Sequence, residues 1–397
     1  MNKMTVRDIE VEGKRVLVRV DFNVPLDEKT GEIADDSRIR ATLPTIKYLT
    51  SRGARVILIS HLGRPKGKVV DELRLTVVAQ HLSQILGQQV GVATDCIGPE
   101  VEKSVASLKS SDVLLLENLR FHSDEETGSA SFAQDLAHLA DIFVNDAFGT
   151  SHRAHASIAG IAHYLPAVAG LLLEKEVDTL GSILENPAHP FAALLGGAKV
   201  SDKVGMIENI MDKVDLLLIG GGIAATFLKA KSYKIGLSLV EADRLDTAVE
   251  LMERAVRNGV HLLLPVDVVV ADSLSTKAEF KTVSIDNIPS DLRVVDIGRL
   301  TIDSFSRELE RCKTVFWNGP MGIYEIPQFA EGTQAMARLL ANLKATTVIG
   351  GGSTAEAVTE MKLADKMTFV STGGGASLRF LSGKELPGVE VLVDKEV

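Results

Sequence analysis

Cysteine is almost missing from this chain: Cys96 and Cys312 are the only two in 397 residues, and no CxxC occurs. That excludes zinc knuckles and disulfide frameworks, and a reducing compartment is the simplest setting. Long apolar runs are missing too. The most apolar stretch, residues 158–173, is broken by His163 and Pro166 and is too short for a membrane span. The opening residues, MNKMTVRDIEVEGK, lack the apolar core of a signal peptide. These absences predict a cytoplasmic protein with no membrane partner. Positive charge is in deficit. A formal net charge of −10 argues against general binding to nucleic acid or to anionic membranes. It leaves room for a local basic cluster, and such a cluster on an acidic body suits a small anionic ligand. Two signature motifs are also absent. There is no GxxxxGKS or GxxxxGKT phosphate loop, and no HRD-like catalytic base of a protein kinase.

What is present is a rhythm. The length suggests two domains of ordinary size, each able to bury a core. Apolar, β-branched runs of strand length recur over residues 15–20, 56–60, 113–117, 142–145, 191–195, 216–219, 262–266, 315–317, 346–349 and 368–371. Most are apolar on consecutive positions, as expected of parallel strands covered on both faces. Amphipathic stretches at 38–51, 76–86, 131–140, 203–213, 245–258 and 355–362 read as helices between them. The alternation predicts an α/β fold of two doubly wound parallel-sheet, Rossmann-like domains. One more helical stretch, residues 171–186, follows Pro166 and is stopped by Asn186-Pro187. We read it as a hinge helix joining the halves; its pattern alone equally fits an ordinary helix within one large domain.

In doubly wound sheets ligands bind beyond the carboxyl ends of the strands. In the first half, Asp21-Phe22-Asn23 follows the first run and Arg38 opens the first helix. His61-Leu62-Gly63-Arg64 follows the second run, Arg120 the third, and His152-Arg153 the fourth. An Asp-Asn pair past a strand can be a plain turn, and a single arginine there is ordinarily a surface residue. Their recurrence along one sheet edge is costly self-repulsion unless an anion joins them. Arginine forks match carboxylate and phosphate oxygens in bidentate fashion, so a small phosphorylated or carboxylated ligand is expected.

The second half repeats strand, glycine turn, helix. Gly196-Gly197-Ala198-Lys199 precedes Val200-Ser201-Asp202-Lys203; if a helix starts near Lys199, the two lysines share one face and a phosphate between them relieves their repulsion. Gly220–Gly222, Gly350–Gly352 with Ser353 and Thr354, and Gly373–Gly375 with Ser377 follow later runs. Glycine lets backbone approach phosphate closely, and free amides at a helix start attract anions. Ser353, Thr354 and Ser377 could equally serve as N-caps. Three triplets in one half point to a polyphosphate. A relaxed GxGxxA at Gly220, Gly222 and Ala225 keeps a nicotinamide-dependent dehydrogenase as the alternative, with Glu241 as its ribose acid after a weak strand, KIGLSLV.

From RVLVRVDFNVP onward the chain closely resembles phosphoglycerate kinase, through SHLGRP, ENLRF, NDAFGTSHRAH, GGAKVSDK, GGGIAATF, VFWNGPMGIYE and STGGGAS. The resemblance implies reversible phosphoryl transfer between 1,3-bisphosphoglycerate and ADP, giving 3-phosphoglycerate and ATP, with Mg²⁺, across a closing interdomain cleft. By matching motif positions, Asp21, Phe22, Asn23, Arg38, His61, Leu62, Gly63, Arg64, Arg120 and Arg153 would hold the glycerate and its 3-phosphate. Lys199 and Lys203 would lie along the nucleotide phosphates and the group in flight. Gly220, Gly221 and Gly222 would border the adenine. Asn318 and Glu325 would contact the nucleotide, the latter at its ribose, and Gly351, Gly352, Ser353 and Thr354 would sit at the phosphates. Gly373, Gly374 and Gly375 would form a second helix start facing the reaction, making them catalytic with Arg38, Lys199 and Lys203. The expected limits are a substrate domain over 1–171, a hinge helix over 172–186, a nucleotide domain over 187–385, and a tail, 386–397, returning to the first domain. A monomer is expected.

This chemistry suits these residues. The acceptor in one direction is a carboxylate, already ionised at neutral pH, so no general base is needed. What remains is alignment and charge. Two departures from the family pattern stand out. Ser353 replaces the usual Asp of GGGDS or GGGDT, which removes a charge from the surroundings of the Mg-nucleotide and should loosen its hold; Arg379 stands where Glu is usual. Ser353 is also the one feature that leans towards a non-catalytic, anion-binding descendant of the fold.

Overall fold

The computed structural model describes residues 1–27 and 29–395. The chain divides into two compact units, one of Met1–Asp178 with the chain from Glu385 onward, the other of Thr179–Lys384.

In the first unit, strands β1 (Arg15–Arg19), β2 (Arg55–Ile59), β3 (Val90–Val92), β4 (Val113–Leu115), β5 (Ile142–Asn145) and β6 (Ala167–Ala169) form one parallel sheet in the order β3-β4-β2-β1-β5-β6. Val16, Leu17 and Val18 are each fully buried, as two-faced coverage requires. Helix Ser37–Ser51 turns Ile39, Thr42, Ile46 and Leu49 inward at helical spacing, and Ile39, Ile46 and Leu49 join the strand valines in one core. The tail meets this unit: Val393 donates its amide to Ala167 O, and Asn145 Nδ2 donates to Gly388 O. Glu396 and Val397, the end of the expected tail, lie outside the described residues.

In the second unit, β7 (Phe191–Leu195), β8 (Leu216–Ile219), β9 (His261–Leu263), β13 (Thr314–Asn318), β14 (Thr346–Gly350) and β15 (Phe369–Val370) form a second parallel sheet, ordered β15-β14-β13-β7-β8-β9. A small antiparallel sheet intervenes in sequence: β10 (Asp267–Ala271), β11 (Phe280–Ser284) and β12 (Arg293–Ile297), with β10 central. This corrects the expected single strand over 262–266. Pro265 has no N–H to donate and pushes Leu264 out of line, so the parallel strand ends at Leu263 and a new sheet starts at Asp267. Both parallel sheets reverse direction of winding beside their first strand, at β1/β5 and at β7/β13, the kind of switch point beyond which doubly wound sheets bind ligands.

Helix Leu171–Glu185 contains the division between units, which falls between Asp178 and Thr179. Its first amides are fastened to the first unit. Leu171 N donates to Thr45 Oγ1 (3.0 Å), and Leu172 N and Leu173 N donate to Asp146 Oδ1 (2.9 and 3.2 Å). Asp146 sits directly past β5 and is fully buried, and it crowds Gly170 so closely that a Cβ there would lie 2.1 Å from Oδ1. Burial pushes the Asp146 carboxyl up to about 7, against the bonds from Thr45, Leu173 and Leu172 that favour its charge. The folded state therefore keeps a proton that the unfolded chain releases near pH 3.8, and stability falls as pH rises from that value to about 7. Asp146→Asn keeps the acceptor oxygen and removes this slope. Denaturant unfolding should show the variant gaining roughly 2–3 kcal/mol on the wild type between pH 5 and pH 8; parallel pH curves would contradict the assignment.

Candidate active site

The first unit gathers its cations at the carboxyl ends of β1, β2, β4 and β5. Asp21, just past β1, accepts from Arg38 Nη1 at 2.8 Å, so the arginine that opens the first helix is aimed across the strand ends. Asn23 Oδ1 accepts from Gly63 N at 2.8 Å and ties this turn to the next one. Asn118 braces it from the other side, accepting from Leu62 N (3.2 Å) and donating to Leu62 O (2.8 Å). Phe22 and Leu62 are in the hydrophobic core, so their side chains anchor the turns.

His61 is buried at the centre. Its Nδ1 accepts from Arg19 Nη2 at 3.1 Å, which leaves the proton on Nε2. Burial, followed by the charges of Arg19, Arg120, Arg38 and His155, holds its pKa well below 6.5, so the ring is neutral. Arg120 is buried as well and donates to Gly63 O at 2.8 Å, with Glu126 3.2 Å away. Burial, and the positive charges of Arg153 and Arg64, hold the Arg120 guanidinium below its usual range, against the pull of Glu126 and Glu125. Arg64 and Arg153 are exposed.

A layer beneath was not legible in the sequence. Arg19, nearly fully buried, donates Nε to Ser157 Oγ (2.9 Å) and Nη1 to Val20 O. Ser157 in turn donates Oγ and N to Glu125 (2.6 and 2.9 Å). Burial opposes charge on Glu125, but His155, Arg19 and Ser157 outweigh it and hold the carboxylate below its ordinary value. Neither an arginine inside an apolar run nor a glutamate inside the acidic run SDEET shows, from its neighbours in sequence, the partner it meets here.

In the second unit the glycine turns cross one another. A Cβ on Gly221 would lie 2.6 Å from Pro320 O and 2.7 Å from Gly197 N, and its φ is +58°. Gly221 is therefore demanded by backbone packing, whatever else it meets; Gly220 is crowded by the Met321 side chain, and Gly222 lies tight against Gly197 and Ala198. Each of the other two triplets has one glycine facing open space: nothing lies within 4 Å of a Cβ on Gly352 or on Gly374, whose φ is +48°. Gly351 precedes helix Gly352–Glu360, and Gly374 precedes helix Gly375–Leu381. Ser353, exposed, lies in the first turn of the former rather than at its cap. Thr354 Oγ1 instead accepts from Gly319 N (2.7 Å), and Ser377 pairs with Ser371 Oγ (2.7 Å). Arg379 is exposed in the last turn of its helix, where a cation suits the helix dipole.

Lys199 and Lys203 do not share a helix face. The helix starts only at Val204, because Glu241 accepts from Ser201 N (3.1 Å) and from Val200 N and holds the preceding residues in a turn. Lys199 is exposed, whereas Lys203 is buried and donates to Asn318 Oδ1. Asn318 Nδ2 is buried with no partner among the described residues. It adjoins Gly350 and Gly351, where added Cβ atoms would sit 3.2 and 3.0 Å from it. Glu325 is exposed on the loop after β13. Residues 234–240 form no strand, and Glu241 is already engaged, so the geometry of a dinucleotide-binding acid is absent here.

A family model for phosphoglycerate kinase matches residues 6–384. The chain belongs to that family. Phosphoglycerate kinases from Moorella thermoacetica and Pelotomaculum thermopropionicum are each 55% identical to it over 395 residues, covering all of both chains. The phosphoglycerate kinase structure from Coxiella burnetii matches with a TM-score of 0.86 at 42% identity, and that from Pyrococcus horikoshii with 0.87 at 32%, each over 98% of both chains. The chain is thus a phosphotransferase of glycolysis, with small-molecule substrates that include a nucleotide, and the dehydrogenase reading falls away. Among the described residues no helix is long and apolar enough to cross a membrane.

Burial lowers the Lys203 ammonium from 10.5 to about 8, against the pull of Asp202. A phosphate brought against it raises that value again. NMR of the reductively ¹³C-methylated protein should show Lys203 titrating near 8 when free and higher with ADP bound; a titration unmoved by ADP would place the lysine away from the nucleotide.

Proposed function

We propose that the two units divide the reaction between them. Arg38, Arg64, Arg120 and Arg153, with His61, Asp21 and Asn23, hold 3-phosphoglycerate or 1,3-bisphosphoglycerate; Phe22, Leu62 and Gly63 shape the turns that present them. Lys203, Asn318, Gly351–Thr354 and Glu325 hold ADP or ATP, with Lys199 entering from its exposed turn and Gly220–Gly222 walling the base. The observation that carries this reading is the gathering of Arg19, Arg38 and Arg120 about buried His61: Arg19 Nη2 lies 3.1 Å from its Nδ1, Arg38 is held by Asp21 beside it, and Arg120 by Gly63 O on the same turn. Such a cluster relieves its own repulsion by taking up an anion, and the neutral ring offers Nε2–H as a donor.

The chain's own part in transfer is positioning and charge. The attacking carboxylate needs no base. Arg38 and Lys203 meet negative charge spreading over the moving phosphoryl oxygens, and the helix starts at Gly352 and Gly373–Gly375 add backbone amides. Ligands held on separate units must be brought together and water kept out, so we infer closure about helix Leu171–Glu185. Mg²⁺, when bound with the nucleotide, neutralises phosphate charge. The exposed Ser353 hydroxyl beside open Gly352 fits a cation carried mainly by phosphate and water, since Mg²⁺ takes few protein ligands. A monomer in the cytoplasm completes the reading.

Arg38→Ala tests it. In a coupled assay with 3-phosphoglycerate and Mg-ATP, turnover should fall by about 10²–10³, while ADP affinity measured by calorimetry stays unchanged. Equal loss of both would overturn the division of roles.

A further inference from the structure

Among the described residues, Asp95, Cys96 and His122 form the one group of His, Cys, Asp or Glu side chains whose donor atoms all lie within 4.8 Å of one another. None of them belongs to the anion cluster or the glycine turns. The fold places them together. Asp95 and Cys96 lie in the loop after β3, and His122 follows the short turn Leu119–Phe121 after β4. These strands are paired, and the alignment continues into the loops through Ala93 N to Leu115 O (3.0 Å) and Glu117 N to Asp95 O (3.2 Å). His122 Nε2 is 2.7 Å from Asp95 Oδ1, which also accepts from Cys96 N at 2.7 Å. Asp95 Oδ2 takes no part in either bond. The thiol is fully buried, while the imidazole and carboxylate side chains are 27% and 49% exposed, so the group is open on one side.

We propose that Asp95, Cys96 and His122 bind a borderline-soft divalent cation of the zinc class. Thiolate, imidazole and carboxylate are the donors of such sites, and three protein ligands leave a fourth, solvent-facing position for water. A tetrahedral ion holds its ligands roughly 3–4 Å apart, given bonds of about 2.0–2.3 Å. The group reaches that spacing by opening the His122–Asp95 contact and drawing the thiol inward. Sulfur and imidazole discriminate against Mg²⁺, so the site stands apart from the cation that accompanies the nucleotide. On binding, the thiol proton leaves to solvent and the sulfur becomes a thiolate ligand; His122 binds as the neutral ring. The ion would then join the β3 loop to His122, two residues beyond Arg120 and the residue that caps helix Ser123–Thr127.

Cobalt(II) reports the donors directly. Titrated into the full-length protein without nucleotide, it should give a thiolate-to-cobalt charge-transfer band in the near ultraviolet that saturates at one equivalent. Zinc should bleach the band, and excess Mg²⁺ should leave it. Cys96→Ser should abolish it and Cys312→Ser preserve it. His122→Asn, which keeps a hydrogen bond to Asp95, should weaken cobalt binding at least about tenfold. No charge-transfer band in the wild type, a band that survives Cys96→Ser, or unchanged affinity in His122→Asn would each overturn the site and leave a hydrogen-bonded pair beside an inert thiol.

Discussion

Like charge held at close quarters is the constraint on which the first unit is built. Arg19, Arg38 and Arg120 all act on His61, and Arg64 and Arg153 act on Arg120. In a folded protein this arrangement survives only with compensation. Asp21 takes Arg38, Glu126 takes Arg120, and Glu125 answers Arg19 through Ser157. The acids are arranged behind and beside the cations. Arg64 and Arg153 remain at the surface, where a small polyanion can complete the set. Burial first, and then the same field, keep His61 neutral, and the bond from Arg19 fixes its tautomer.

The second unit solves a different problem, that of bringing main chain close to main chain and to phosphate. Its glycines serve both ends. Gly196, Gly197, Gly221 and Gly319 let turns from β7, β8 and β13 cross with almost no space between them. Gly352 and Gly374 leave open space at helix starts, where unpaired backbone amides are found. Lys203 joins the two sets. Buried under the turns, it donates to Asn318 at the end of β13. The Asn318 Nδ2 beside Gly351 is a donor without an acceptor among the described residues, as a ligand-facing amide would be.

Most of the parallel framework was legible because burial on both faces writes strands as unbroken apolar runs; residues 142–145, 191–195 and 216–219 match the observed strands. Val90–Val92 and Ala167–Ala169 are too short to register as runs. The antiparallel sheet escaped because its edge strand, FKTVS, is largely exposed and reads as loop. Turn residues such as Asp21, His61 and Arg120 stood out because charge follows apolar sequence abruptly. Arg19, Glu125 and Asp146 did not, since their roles depend on partners far away along the chain. The lysine pair misled for a related reason: spacing of four implies a shared face only in a helix, and Glu241 holds that segment in a turn.

The central claim is that the first unit's cations make a site for a phosphorylated carboxylate that stands ready without nucleotide. Calorimetric titration of the protein with 3-phosphoglycerate alone, at low and at high ionic strength, tests it most directly. The account predicts measurable binding in the absence of nucleotide, with affinity falling steeply as salt screens the cluster. Binding that is indifferent to salt, or that appears only once nucleotide is present, would contradict it.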